Sequence, residues 1–312
     1  MNEFDFINKY FKPLVSKEAR NLNDDAAIFR PKIKNEIVIS TDSLVEGIHF
    51  FGHENPSDIA KKSLRVNLSD MAAMGAKPIF YNLALNIPKH KVQKFIPKFV
   101  NGLKEDQDNF NLKLIGGDLT SSLKHINITI TIFGEIPHGQ FLPRGGAKSG
   151  DFLFVSGFLG VSKIGLDNFF SKSNHFKTAR NKYLLPEPRV DLSILLRKIA
   201  NCMIDISDGL VQDATHLAEK SNLTVEIDIN KIPLPNFKFL THEIILNSAL
   251  YGGDDYELLF SCDPCHEEFI KKLSLKTRIN LTKIGFFENY KDKFLKFKNT
   301  KIKPKRNSFS HF

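Results

Sequence analysis

The sequence predicts a two-domain α/β (α+β) protein, and three observations carry that expectation. At 312 residues the chain has room for two cores of ordinary size. Short β-branched runs of period two alternate with longer runs at helical spacing. A Gly- and Pro-rich stretch, residues 137–150, interrupts that alternation and divides the chain into expected domains 1–138 and 139–312.

In the first half, residues 36–41 (EIVIST) read as a strand, because β-branched side chains suit a pleated, half-buried surface. Residues 57–74 read as a helix. There Leu64, Leu68 and Met71 recur at i, i+4 and i+7 as a core stripe. Ser63, Asn67 and Asp70 recur at the same spacing as a polar stripe, which suits either a solvated face or a face turned to a ligand. A strand at 82–87, a helix at 90–108 and a short strand at 112–115 follow, the last ending at Gly116-Gly117-Asp118. Residues 126–136 alternate Thr and Ile with period two, the pattern of a half-buried strand.

The second half restarts with a strand at 151–156 and helices near 161–170 and 189–200. A short strand at 203–206 feeds a helix from Asp208 to about Ser221. Strands at 224–229, 256–260 and 281–286 alternate with helices near 242–250 and 266–273. The basic run from Lys291 to Arg306 has no period and reads as irregular.

Composition narrows the function classes. The 42% hydrophobic and 25% charged fractions are those of a soluble globular protein, and no stretch approaches the length of an apolar membrane span. The N-terminus has no signal-peptide pattern, so a cytoplasmic location without a membrane partner is the default expectation. A net charge of +9 invites a nucleic-acid reading, but the lysines are dispersed and no zinc-finger, basic-helix or RNP pattern accompanies them. No nucleic-acid partner is expected. Cys262-Asp263-Pro264-Cys265-His266 has haem-attachment spacing, yet it also suits a plain strand-to-helix turn.

The chemistry-bearing residues are acidic and sit at the ends of apolar runs, beside Gly, Ser, Thr or Asn. They occur as Asn23-Asp24-Asp25, Ser40-Thr41-Asp42, Asn67-Leu68-Ser69-Asp70, Gly116-Gly117-Asp118 and Ile204-Asp205-Ile206-Ser207-Asp208-Gly209. Carboxylates gathered from several elements repel one another unless a cation lies between them, and hard oxygen ligands point to Mg²⁺ shared with substrate phosphates. Thr41 and Asp42 end a strand, where α/β proteins place ligands, although a turn or N-cap favours the same residue types. Ser207 and Asp208 suit either an N-cap or an anion site at a helix start. Arg144 reads as a phosphate clamp or an exposed linker arginine, and spacing alone does not make His49 a ligand. No P-loop, protein-kinase signature or strand-anchored G-x-G-x-x-G is present. The reading is a magnesium-dependent phosphoryl-transfer enzyme, with positioning and charge neutralisation in place of a catalytic base.

In their order these motifs resemble the thiamine-monophosphate kinase family, within the superfamily of aminoimidazole ribonucleotide synthetase. The segments STDSLVEGIHF (40–50) and NLSDMAAMGA (67–76) carry the resemblance most specifically. GGD, RGGAKSGD (144–151), IDISDGLVQD (204–213) and GGDDYELLF (252–260) support it. The resemblance implies an aminoimidazole ribonucleotide synthetase-like fold in which an N-terminal ATP/Mg-binding and dimerisation domain pairs its strands into a shared barrel of a homodimer. It implies transfer of a phosphoryl group from ATP to thiamine monophosphate, giving thiamine diphosphate. Matched by motif, Asp25, Ser40, Thr41, Asp42, Asp70, Asp118, Asp205 and Asp208 would hold several Mg²⁺ ions. Gly117, Asp118, Arg144 and Ser207 would contact ATP, and His49, Asp254 and Phe309 the thiamine monophosphate. Departures from the family pattern are Asn21 and Asn23 in place of glycines, Leu119 after GGD, and Asp254 in place of Glu. Alternatives are another ATP-dependent member, such as an aminoimidazole ribonucleotide or selenophosphate synthetase, or a non-catalytic nucleotide-binding relative. The selenophosphate enzymes carry an N-terminal reactive Cys, whereas the first cysteine here is Cys202.

Overall fold

The structure is a computed structural model that describes residues 3–22 and 26–298. The chain forms two compact units, one of Met1–Met71 with Ala76–Gly139 and one of Ala72–Gly75 with Gln140–Phe312.

The first unit opens with the short helix α1 (Glu3–Phe6) and a run of irregular helical turns to Leu22. Its sheet is built from β1 (Asn35–Val45), β2 (Lys77–Pro88), β3 (Lys113–Ser122) and β4 (Asn127–Pro137), in the order β1-β4-β2-β3. The β1/β4 and β4/β2 pairs are antiparallel and β2/β3 is parallel. The helices α2 (Pro56–Ala73) and α3 (Val92–Phe110) join these strands. Leu64, Leu68 and Met71 of α2 are fully buried, as their spacing predicts. The polar stripe beside them is no solvated face, since Ser63 and Asn67 are buried too. Arg65 of α2 reaches the buried Asp106 of α3 with two parallel bonds of 2.7 and 2.9 Å, a geometry that fixes one helix against the other.

Alternation gives this sheet two unlike faces. Ile128, Ile130, Ile132 and Ile136 of β4 are buried, while Thr129, Thr131 and Phe133 between them are only half-buried. On that second, open face the hydroxyls of Thr41 and Thr131 pair at 2.9 Å, those of Ser43 and Thr129 pair at 2.7 Å, and Ile39 is 59% exposed.

The second unit has a six-stranded sheet in the order β10-β7-β9-β5-β8-β6. Its strands are β5 (Phe152–Ser156), β6 (Ala200–Asp205), β7 (Leu223–Asp228), β8 (Leu258–Cys262), β9 (Leu281–Asn289) and β10 (Leu295–Lys298). All pairs are antiparallel except β10/β7. Helices α4 (Val161–Asp167), α5 (Lys177–Leu184), α6 (Val190–Leu196), α7 (Leu210–Ser221), α8 (His242–Tyr251) and α9 (Glu267–Thr277) complete it. The core joins Leu210, Ala214 and Leu217 of α7 to Val225, Leu259, Ile284 and Phe287 of the sheet.

Five expectations are corrected. β1 does not end at Thr41 but pairs with β4 on through Val45, so Thr41 and Asp42 lie within a strand and not at its end. β3 does not stop at Ile115 but runs through Gly116–Asp118 to Ser122, because β2 goes on pairing with it past a bulge opposite Tyr81/Asn82. The basic run from Lys291 is not wholly irregular: Leu295–Lys298 pairs with β7. The helix expected from Asp208 starts at Leu210, since Gly209 at φ 114° cannot continue it. The strand expected from Tyr256 starts at Leu258, because Tyr256 has left-handed backbone at φ 52°. The expected Cys262–His266 turn is present, with the Asp263 carboxylate accepting the Cys265 N–H at 2.8 Å.

Candidate functional site

In the first unit, β1 and α2 bring Ser40, Asp42 and Asp70 together. The Asn67 carboxamide, buried in α2, accepts the main-chain N–H of Asp42 at 3.1 Å and donates to the Ser63 carbonyl at 2.9 Å. That bond docks the helix on the strand, and Asp70 lies one turn further along the same face. The Ser40 hydroxyl donates to Asp70 at 2.5 Å. Burial, followed by the charge of Asp70 and a hydrogen bond with it, pushes the Asp42 carboxyl up to about 6. Two carboxylates and a hydroxyl this close form a hard-oxygen donor set suited to Mg²⁺. Among the described residues, no three His, Cys, Asp or Glu side chains are gathered for a metal.

Thr41 is not part of that group. Successive strand residues face opposite ways, and its hydroxyl meets Thr131 on the open face. Asp118, in register through Ala84 with Thr129, lies on that face, and with Gly117, Leu119, Asn82, Thr131, Phe133 and side chains of the N-terminal turns it lines a cavity of about 940 Å³. Gly117 has a structural reason of its own: a Cβ there would stand 2.0 Å from the Leu83 carbonyl oxygen. Asn21, in the place of a family glycine, has left-handed backbone at φ 59°, which Asn tolerates better than most residues. His49 follows β1 in a turn where its Nδ1 accepts the Val45 N–H at 3.0 Å, so the neutral ring carries its proton on Nε2. Asp25, Asn23 and Phe309 lie outside the described residues.

In the second unit the site gathers at the end of β6. Asp205 is buried, Ser207 and Asp208 are half-buried, and the Asp213 carboxylate accepts the N–H groups of Asp208 and Gly209 at 3.2 and 3.1 Å. Burial, and then the charges of Asp205 and Asp208, hold the Asp213 carboxyl well above the usual range. The loop between α8 and β8 lies against this turn. Asp254 donates its N–H to the Ser207 carbonyl at 2.9 Å, and Tyr256 donates its own to Ile206 at 2.8 Å. A Cβ on Gly253 would stand 2.1 Å from the Ser207 oxygen, so glycine is what permits the approach. The structure therefore brings Asp254 beside Ser207 and Asp208.

Arg144 is exposed. The glycines after it serve packing, since Gly145 would meet the Lys220 carbonyl and Gly146 the Asn201 carbonyl if either carried a Cβ. The N–H groups of Gly146 and Ala147 both reach the Ser221 hydroxyl at 3.2 Å.

Sequence reasoning missed Asp213, Asp255, Glu257, Lys182 and Arg189. The first three lie inside the IDISDGLVQD and GGDDYELLF runs, so their motifs were visible while their contacts were not. Lys182 and Arg189 carried no local signal. Both bind the fully buried Glu257, Arg189 through two bonds of 2.7 Å and Lys182 at 2.9 Å. Burial alone would raise the Glu257 carboxyl, but these two cations outweigh it and hold the group below its usual value.

Residues 23–136 match the AIR synthase related protein, N-terminal domain, and residues 148–297 match the C-terminal domain of the same group. The thiamine-monophosphate kinase of Buchnera aphidicola from Schizaphis graminum is 38% identical over all of this chain and 99% of its own length. The crystal structure of thiamine-monophosphate kinase from Stenotrophomonas maltophilia K279a superposes with a TM-score of 0.83, at 32% identity over 88% of this chain and 89% of that one. AaThiL complexed with AMPPCP and TMP gives a TM-score of 0.80, at 31% identity over 99% of this chain and 97% of that one. With both domains matched in order and full-length relatives at this identity, the chain belongs to the thiamine-monophosphate kinase family of AIR synthase related proteins.

Proposed function

We infer that this chain transfers the terminal phosphoryl group of ATP to thiamine monophosphate, giving thiamine diphosphate and ADP. The observation that carries the reading is the contact of two loops in the second unit: the Asp254 loop, matched to the substrate contact, is hydrogen-bonded to the Ser207–Asp208 turn, matched to nucleotide and metal. A transfer enzyme needs that adjacency, because acceptor and donor must meet within reacting distance. In the same reading Asp254 and His49, with Phe309, orient the thiamine phosphate, while Gly117, Asp118, Arg144 and Ser207 take the nucleotide.

Asp42, Asp70 and Ser40 would hold Mg²⁺ in the first unit, with Asp25 and the main chain of Thr41 contributing. Asp118, on the opposite face of the sheet, would serve a separate ion, and Asp205 and Asp208 would hold Mg²⁺ in the second unit. When bound, Mg²⁺ neutralises phosphate charge and lets two polyanions approach. The chain itself supplies alignment. A phosphate monoester has its second pKa near ~6, so the acceptor oxygen is already largely deprotonated at neutral pH and no side-chain base is required. The open face of the β1–β4 sheet, with Ile39 exposed and its Thr and Ser hydroxyls in view, suits closure against a second copy in a homodimer. A cytoplasmic setting, where ATP is at hand, belongs to the same reading.

The test is ADP release from ATP and Mg²⁺ with and without thiamine monophosphate, followed by identification of the product. Thiamine diphosphate formed only when Mg²⁺ is present is the expected result. ATP turnover indifferent to thiamine monophosphate would overturn the substrate assignment.

A further inference from the structure

The loop that presents Asp254 is held in an unusual backbone, and the groups that hold it lie behind it. Asp254 and Tyr256 both have left-handed φ, 65° and 52°, a conformation that non-glycine residues keep only when their surroundings impose it. The alternate residues, Asp255 and Glu257, are fully buried. Asp255 accepts the N–H groups of Gly160 at 2.6 Å and Ser162 at 3.2 Å. Glu257 takes Arg189 through both carboxylate oxygens, Lys182 at 2.9 Å and the Ser156 hydroxyl at 2.6 Å. Gly157 has no room for a side chain, since a Cβ would stand 2.3 Å from a Glu257 oxygen. On the outer side, the Tyr256 hydroxyl donates to Asp254 at 3.0 Å.

We propose that Glu257, anchored by Arg189 and Lys182, is a positioning residue for substrate recognition, holding the 252–257 loop so that Asp254 and Tyr256 are presented together beside Ser207. This role of Glu257 rests on Asp254 meeting thiamine monophosphate, as in the function proposed above. Arg189 makes a rigid two-point bond that fixes the carboxylate in angle as well as distance. The Glu257 main-chain carbonyl also accepts the Ile206 N–H at 2.8 Å, which ties the end of the loop to the end of β6. The network touches no reacting atom. It acts on how well the substrate is held, and its loss falls on KM for the phosphorylated acceptor rather than on the nucleotide.

The experiment uses the full chain with Glu257→Gln and, as a milder variant that keeps the charge but loses the two-point bond, Arg189→Lys. Either variant should raise KM for thiamine monophosphate about tenfold with KM for ATP within about twofold, the split expected when uniform acceptor binding is lost. In an Asp254→Asn background the additional effect of Arg189→Lys should shrink to under about twofold, because the two act through one loop. Hydrogen exchange, which needs no turnover, should quicken at the amides of Asp254 and Tyr256 while α7 stays protected. Equal effects on kcat and both KM values, or a full effect in the Asp254→Asn background, would overturn the proposal. So would unchanged exchange at these two amides. A wild-type chain that makes no thiamine diphosphate would instead sink the functional reading, with the exchange data still deciding the positioning role.

Discussion

Asp42 concentrates the electrostatics of the first unit. Its carboxyl contacts Asp70 and titrates near 6, raised first by burial and then by that neighbour. Two like charges about 4 Å apart repel by roughly 4 kcal/mol at an effective dielectric of 20. A fold selected only for stability has no reason to keep such a pair, and a site for a divalent cation does. Asp42→Asn should therefore leave melting temperature unchanged or slightly raised in the absence of Mg²⁺, while turnover falls by about 100-fold or more, the scale of losing one preorganised electrostatic group. Thermal melts and steady-state rates on the same preparations check both halves. Near-wild-type turnover at saturating Mg²⁺ would remove Asp42 from the metal-binding set. The neighbouring Thr41→Ala differs, since its hydroxyl faces Thr131 on the opposite side of the strand. What Thr41 offers a metal is thereby limited to its main chain.

Strand β3 carries the second motif of the site through the sheet instead of ending at it, and Gly117 is what lets it pass. Gly117→Ala would put a Cβ 2.0 Å from the Leu83 carbonyl oxygen, a main-chain atom with nowhere to go. At Gly116 the nearest atom is the side-chain oxygen of Asn82, at 3.1 Å, which can turn aside. Overpacking of the first kind costs about 1–3 kcal/mol. Gly117→Ala should melt a few degrees lower, at about 3–4 °C per kcal/mol for a unit of this size, and Gly116→Ala should stay close to wild type. Equal losses at both positions would mean that the sheet, not the close approach, sets the cost. The contrast also marks where sequence reasoning reached its limit. Period and residue type gave α2 and its buried Leu64, Leu68 and Met71, because each helical turn repeats the same environment. They did not give α5, whose eight residues KTARNKYL bury only Ala179 and Tyr183, too few to set a period. They also missed β10, four residues whose strand state depends on pairing with β7, far away in sequence. The acidic motifs were visible as motifs, yet that Asp42 meets Asp70 while Thr41 faces away depends on the register of β1 against α2. Likewise, nothing in the letters of Asp254 and Tyr256 announces a left-handed backbone, since that conformation is imposed by buried neighbours.

At the scale of the molecule, the second unit is tied together by a charge cluster that responds to acid. Glu257 draws on β5 through Ser156, on α5 through Lys182 and on the start of α6 through Arg189. Its carboxyl is held below the ordinary value because Lys182 and Arg189 outweigh the burial that would raise it. A carboxyl depressed in the folded state adds stability that is complete above the unfolded value, near 4.3, and is lost as pH falls through the folded one. Asp255 titrates at the other end: burial pushes its carboxyl up to about 7 despite two main-chain N–H donors. Its contribution has the opposite sign and weakens the fold as pH rises from about 4 toward 7. Glu257→Gln isolates the first effect, since glutamine mimics the protonated acid in shape and charge. The variant should be less stable than wild type by about 3–5 kcal/mol at pH 7, the cost of breaking a buried ion pair. The gap should narrow steadily below about pH 4.5 and close as wild-type Glu257 itself takes up a proton. Denaturant melts of both proteins between pH 3 and 8 measure the gap directly. A difference independent of pH would mean that the cluster stabilises by shape and packing, and that the charge on Glu257 contributes nothing to holding the unit together.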